Sequence, residues 1–239
     1  MSAADAQRQA AGEHAVAAYV HDGMTLGLGT GATAGMMLAA LAARLADGRL
    51  RDIAGVATSE TTAERCRELG IPLTTLEDDP TLDVVIDGAD EIDPGLNLIK
   101  GLGGAHLREK VVACAGELMV VVADEAKLVA RLGERAPLPV EVVEFALPVC
   151  DRKLRELGWQ PVLRLDADGM PFVTDEGNAI LDCRRDDDWP DLAALAAGVR
   201  SVPGVVEHGF FLGMAGVAVV GTGAGVRVLE PGSRPAVAP

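Results

Sequence analysis

The chain reads as an α/β protein: a doubly wound, mostly parallel sheet with helices on both faces, plus a smaller inserted α+β domain. Three observations predict this. Short apolar runs alternate with Ala-rich helical stretches through residue 130, the rhythm of a parallel sheet. Aromatics are scarce (two Trp, one Tyr and four Phe) while glycines number 28, so the core is built from Ala, Val, Leu and Ile. The texture changes near residue 134, where Pro137, Pro139 and Pro148 interrupt the alternation. A length of 239 residues suits one large domain, or a domain with a smaller companion.

The elements follow in order. Residues 3–20 have helical composition and stop at His21-Asp22-Gly23. Residues 24–28 form a short apolar strand that runs into a Gly/Thr loop. Residues 34–45, rich in Ala, Leu and Met, form a helix closed by Asp47-Gly48. A second strand covers 53–58, and a second helix covers 59–69 with Gly70 as its stop. Residues 72–76 suggest a short strand and 82–86 a buried one. Residues 107–115 suit a helix, and 117–123 form a continuous apolar strand.

Beyond residue 134, residues 140–143 are strand-like without starting another βα unit. Residues 162–165, the turn Asp166-Ala167-Asp168-Gly169, and residues 172–174 read as a hairpin. Residues 179–183 form another strand and 192–199 a helix. Strand signals return at 208–212 and 217–221, and the tail from Pro231 reads as disordered. The expected division is therefore 1–134 with 206–239 as one unit and 135–205 as the insertion, the last strands rejoining the first sheet. The second Gly-Thr-Gly, at 221–223, reads as a hairpin turn.

Composition excludes several function classes. The net charge is −15 and no Lys/Arg run exists, which argues against nucleic acid as a partner. That charge also repels anions, so a phosphate pocket must supply local positive potential. Cys66, Cys114, Cys150 and Cys183 lack CxxC or Cys/His ligand spacing and read as reduced thiols in a cytoplasmic protein. No apolar run approaches the roughly 18 residues of a membrane span. The first twenty residues, interleaved with Asp5, Arg8, Glu13 and His14, look like an amphipathic helix and not a signal peptide.

Two phrases carry the chemistry. Gly29-x-Gly31-x-x-Ala34 lies between a strand and a helix, where backbone N–H groups meet an anion. Thr30 and Thr33 add hydroxyls that suit a phosphate. No acidic residue ends the second strand for a ribose, and no Walker lysine follows, so neither a dinucleotide nor an NTP is favoured. The second phrase is Asp87-Gly88-Ala89-Asp90-Glu91-Ile92-Asp93, then Lys100 through Lys110 with Glu109 inside. Carboxylates directly after a buried strand sit at the crevice of an open α/β sheet, where acids pack poorly and move protons well. Asp90-Glu91 also reads as a solvated turn, and Asp93-Pro94-Gly95 as a simple reversal. Clustered carboxylates can bind magnesium, but Lys100 would compete for the same place. For Glu109 alone, a surface helix position and a catalytic one are equally open.

These motifs together resemble the ribose-5-phosphate isomerase family of the A type, over essentially the whole length. The resemblance rests on GTGAT (29–33), DGADEID (87–93), KGLGGAHLREK (100–110), VADEAK (122–127), LPVEV (138–142), DEGNAILD (175–182) and Val202-Pro203-Gly204-Val205-Val206. It implies interconversion of D-ribose 5-phosphate and D-ribulose 5-phosphate through an enediolate, with no metal and no organic cofactor. Glu109 matches the general base, Asp87 and Asp90 the acids that handle ring opening and hydroxyl protons, and Lys100 the cation beside the enediolate. Thr30, Gly31, Ala32, Thr33, Gly88, Ala89 and Lys127 match substrate-binding positions. Gly101, Leu102 and Gly103 match the backbone lining the sugar. A homodimer or homotetramer is also implied. Four positions depart from the family pattern: Ala32 for serine, Leu102 for glycine, His106, and the first helix, where Gln9 stands about where a basic residue is usual, with Arg8 beside it. A sugar-phosphate sensor is the rival reading, but the segment before the first strand is too short for a DNA-binding unit.

Overall fold

The computed structural model describes residues 2–186, 189 and 191–232. In chain order the elements are α1 (Ala3–Tyr19), β1 (Thr25–Leu28), α2 (Ala32–Ala46), β2 (Ala54–Ala57), α3 (Glu60–Leu69), β3 (Val84–Asp87), β4 (Glu91–Ile92) and β5 (Leu98–Ile99). They continue as α4 (His106–Ala115), β6 (Met119–Asp124), β7 (Leu138–Val142), α5 (Leu147–Glu156), β8 (Gln160–Leu163) and β9 (Ala179–Arg184). The last are α6 (Leu192–Arg200), β10 (Val205–His208), β11 (Phe210–Phe211), β12 (Ala215–Thr222) and β13 (Gly225–Leu229).

The main sheet has the order β13-β12-β6-β3-β1-β2 and is parallel except for the edge strand β13. Its central strands are apolar on both faces because both are covered. Val84, Ile86, Val120 and Val122 face α1, α2 and the Cys66 side of α3. Their neighbours Val85, Val121 and Ala123 face the other way, Val85 onto Val112 and the other two onto the group containing Ala113, so α4 covers that face. Period-two alternation within continuous apolar runs thus divides one sheet between two cores.

A second sheet, β10-β7-β9-β8, is antiparallel and carries α5 and α6. A small third sheet, β11-β5-β4, lies between them. The segment 208–212 therefore does not rejoin the first sheet. Gly209 breaks it, β10 stays with β7, and Phe210 and Phe211 pair with β5. Only β12 and β13 return to the main sheet, and they form a hairpin in which Thr222 pairs with Gly225, as the Gly-Thr-Gly turn predicts.

Other differences have local causes. The expected strand at 72–76 shrinks to a single bridge between Gly55 and Leu73, because Asp78 and Asp79 accept from the hydroxyls of Thr75 and Thr74 and turn the chain. Around 172–174 the expected hairpin is reduced to isolated bridges, Leu165 with Pro171 and Val173 with Ala179. Helix α5 is absent from the sequence reading; Pro148 looks like a breaker there, yet it sits in the first helical turn, where a missing N–H is harmless. Gly70 stops α3 in the left-handed conformation, as expected. The tail reading from Pro231 falls, beyond Gly232, outside the described residues.

Candidate active site

Strand β3 ends on Asp87, which is fully buried. It can end there because Gly29, the residue after β1, has no side chain; a Cβ at that position would collide with the Asp87 carboxylate. Asp87 Oδ1 accepts the N–H groups of Thr30 (3.0 Å) and Gly88 (2.7 Å). Asp87 Oδ2 lies 3.1 Å from Lys100 Nζ. The β4–β5 hairpin brings Lys100 back over the end of β3, where its ammonium donates to Gly88 O at 2.6 Å. Lys100 Nζ is also 3.3 Å from Glu109 Oε1, on the first turn of α4, and 5.5 Å from the centre of the Phe211 ring. Asp90 Oδ2 accepts the Leu102 N–H at 2.9 Å.

Three carboxylates therefore surround one sealed ammonium. Burial opposes the charge on Lys100, but Asp87, Glu109 and Asp90 together outweigh it and push its pKa up. Burial pushes the Glu109 carboxyl up to about 8, against the pull of Lys100 and with the repulsion of Asp87 and Asp90. Asp87 is also raised by burial, although Lys100 and two backbone N–H groups favour its charged form. Those fixed donors make Asp87 the better permanent anion. Glu109 Oε2 is buried and has no hydrogen-bond partner among the described residues.

The site opens into a pocket of about 130 Å³. Asp90, Lys100 and Glu109 line one part of it, with Gly88, Ala89, Gly101 and Gly103 as backbone wall. The other part holds Thr30, Gly31, Ala32 and Thr33 at the start of α2, with Lys127 and Arg8. Helix α2 opens at Ala32, two residues earlier than expected, so its free N–H groups come from the loop itself. The Thr30 hydroxyl is already held, within 2.7–3.0 Å of the hydroxyls of Thr58, Ser59 and Thr62. Two expected residues are not on the pocket wall. Asp87 lies beneath it, behind Lys100, and Leu102 is half exposed with its N–H spent on Asp90. A larger cavity, about 740 Å³ between α3 and α4, is lined by none of Asp87, Asp90, Lys100 and Glu109.

Sequence reasoning left Arg8 unassigned. Arg8 faces the pocket and binds the buried Asp124 through Nε at 2.7 Å, whereas Gln9 turns to Glu13 on its own helix. The signal was present: Arg8 continues the buried stripe Ala11, Gly12, Ala15 and Val16 at helical spacing. Glu91 was read as part of a solvated turn, yet it is buried. Its carboxylate accepts the N–H groups of Gly133 (2.6 Å), Arg135 (2.6 Å) and Ala136 (2.7 Å) and so pins the following loop. Among the described residues, no group of three or more His, Cys, Asp or Glu is arranged to hold a metal ion. No described helix is long and apolar enough to cross a membrane.

A buried carboxyl with a raised pKa, a buried ammonium and a cationic far end, set at the carboxyl edge of a parallel sheet, have the chemistry of an α/β acid–base site for a small anionic molecule. Residues 54–225 match the family model for ribose 5-phosphate isomerase A (phosphoriboisomerase A). The ribose-5-phosphate isomerase A of Roseiflexus sp. (strain RS-1) is 62% identical over 213 residues, covering 89% of this chain and 91% of that protein. A solved D-ribose-5-phosphate isomerase in complex with phospho-erythronic acid superposes with a TM-score of 0.92 at 35% identity, covering 96% of this chain and all of that one. The ribose 5-phosphate isomerase of Plasmodium falciparum gives 0.91 at 38% identity, covering 95% and 98%. The chain belongs to the ribose-5-phosphate isomerase A family.

Proposed function

We propose that this chain interconverts D-ribose 5-phosphate and D-ribulose 5-phosphate by moving one proton between C1 and C2. The observation that carries this reading is the placement of Lys100 Nζ against both Asp87 and Glu109 on the wall of a pocket whose far end is cationic. The phosphate docks on the N–H groups opening α2, with Arg8 and Lys127 supplying the charge that a −15 protein otherwise lacks. Its binding energy presents the open-chain sugar to Glu109. Glu109 removes the C2 proton of the aldose; electrons shift to the carbonyl oxygen, and Lys100 stabilises the enediolate as it forms. The same carboxyl returns the proton to C1 while the O2 proton moves to O1. Asp90, on the pocket wall, is placed for ring opening and these hydroxyl protons. Asp87 acts on them through Lys100, which it fixes.

The test is a coupled assay with ribose 5-phosphate beside neighbouring pentose and hexose phosphates. Conversion of ribose 5-phosphate at the highest kcat/KM is expected, and no conversion would overturn the reading.

The division into 1–134 with 206–239 and 135–205 is also proposed, supported by the separate sheet memberships, with β10 straddling its second boundary. A homodimer or homotetramer is supported by the exposed Val162, Leu165, Met170 and Val173 on and after β8. Light scattering on the purified protein decides it. A cytoplasmic setting fits the four free thiols, three of them buried.

A further inference from the structure

Five buried side-chain polar atoms stand without a hydrogen-bond partner among the described residues. Two belong to Asp87 and Glu109 in the site, while the other three belong to His106 and Glu141. Both side chains are sealed from solvent, and His106 Nε2 faces Glu141 Oε2 at 3.8 Å. Such groups are costly unless a proton joins them. The distance closes to a hydrogen bond with a shift of about 1 Å, within ordinary side-chain adjustment.

The two residues occupy unusual places. His106 opens α4, one turn before Glu109, and its ring packs behind Gly101, where a Cβ would lie 2.6 Å from Nδ1. Gly101, at φ +106°, is pocket wall. Glu141 sits on β7, and its other oxygen accepts the Thr174 hydroxyl and the Asn178 amide, both at 2.9 Å. Between those two donors, Asp175 and Glu176 bind Arg108, the neighbour of Glu109, at 3.5 and 2.5 Å. Asp175 also accepts the first N–H of α3 at 2.9 Å. The DEGN turn therefore grips the base-bearing helix twice, once by Arg108 and once through Glu141 and His106.

We propose that His106 and Glu141 share one proton, held on Glu141 and donated to His106 Nε2, and that this buried pair is a positioning device that fixes the first turn of α4 and the Gly101 wall relative to Lys100. The ring faces Lys110 on its own helix, Arg164 after β8 and Glu207 on β10. Glu141 faces Glu176 and Glu207 besides its two donors. Burial lowers the His106 pKa to about 3 and raises that of Glu141, so both favour their neutral forms.

The proposal rests on the reading of Glu109 as the base, and its test separates the two. Glu141→Gln keeps an acceptor for Thr174 and Asn178 and an N–H for His106, so activity is expected within about twofold of wild type. Glu141→Leu and His106→Leu are each expected to lower kcat about tenfold with KM changed less than about twofold. Their double variant is expected to lose no more than either alone. Losses that add, a Glu141→Gln as impaired as Glu141→Leu, or leucine variants as active as wild type would each overturn it. Nitrogen NMR of the His106 ring needs neither folded variants nor activity. A neutral ring from pH 5 to 9 is expected, and a ring that is doubly protonated or titrates in that range would overturn the pair. A wild-type protein inactive on ribose 5-phosphate would sink the functional reading, with the ring spectrum still judging the pair.

Discussion

The Lys100 ammonium lies 3.3 Å from Glu109 Oε1, although the two residues come from different elements, the end of a small hairpin and the start of α4. The contact favours the ionised form of the Glu109 carboxyl against the effect of burial. In the proposed mechanism the same cation meets the negative charge that develops on the sugar oxygens.

Replacing Glu109 by Gln removes the proton acceptor and keeps the shape. Turnover should fall by at least roughly a hundredfold while KM stays near wild type, since the phosphate end is untouched. Steady-state kinetics with ribose 5-phosphate check this, and a variant as active as the parent would remove Glu109 from the mechanism.

The pH profile follows from the same carboxyl. Burial raises it from 4.5 to about 8, and only its ionised form accepts a proton, so kcat/KM should rise with pH through that region. Lys100→Met deletes the cation that lowers this pKa, which moves the acid limb to higher pH. Stability has the opposite sign. The folded protein holds the extra proton below about 8, so this contribution is full below 4.5 and is lost as pH rises through the folded pKa. Denaturation of Glu109→Gln beside wild type should show a flatter decline over that interval.

Arg8 and Gln9 are adjacent and make opposite predictions. Arg8→Ala should raise KM by roughly 10- to 100-fold, the worth of a charged hydrogen bond to phosphate. Gln9→Ala should leave kinetics within about twofold. Equal effects at both positions would mean the phosphate sits elsewhere.

Activity should persist after dialysis against EDTA, because Lys100 occupies the place a metal would take beside the carboxylates. Complete loss restored by magnesium would replace the ammonium mechanism with a metal one.

Glu91 provides a stability test away from the chemistry. Three backbone N–H groups depend on its carboxylate, so Glu91→Gln should destabilise by roughly 2–4 kcal/mol. That corresponds to a melting point lower by about 4–16 °C for a chain of this size. An unchanged melting point would show that the loop at 133–136 holds itself.

Local signals in the sequence were strong where one element decides the outcome. Residues 82–86 read as a buried strand because Leu82, Val84, Val85 and Ile86 are apolar, and β3 begins at Val84, after the exposed Asp83. Gly70 read as a stop because its left-handed turn is intrinsic to glycine. Pro148 misled because a proline breaks a helix interior but suits its first turn, and the sequence does not say which position it holds. The segment 208–212 misled because Phe210 and Phe211 are strand formers whichever sheet receives them.

Asp87, Asp90, Lys100 and Glu109 stand within 23 consecutive positions, and together with the other phrases between residues 29 and 206 they carried the family resemblance and the chemistry expected of it. Which of them lines the pocket was decided by folding. Asp87 is sealed behind Lys100, Arg8 arrives from the first helix, and His106 at the start of α4 meets Glu141 on β7. Propensity and periodicity act over a few residues and are written in the chain. Burial, charge pairing and pocket lining depend on elements distant in sequence, so they exist only once the sheets have packed.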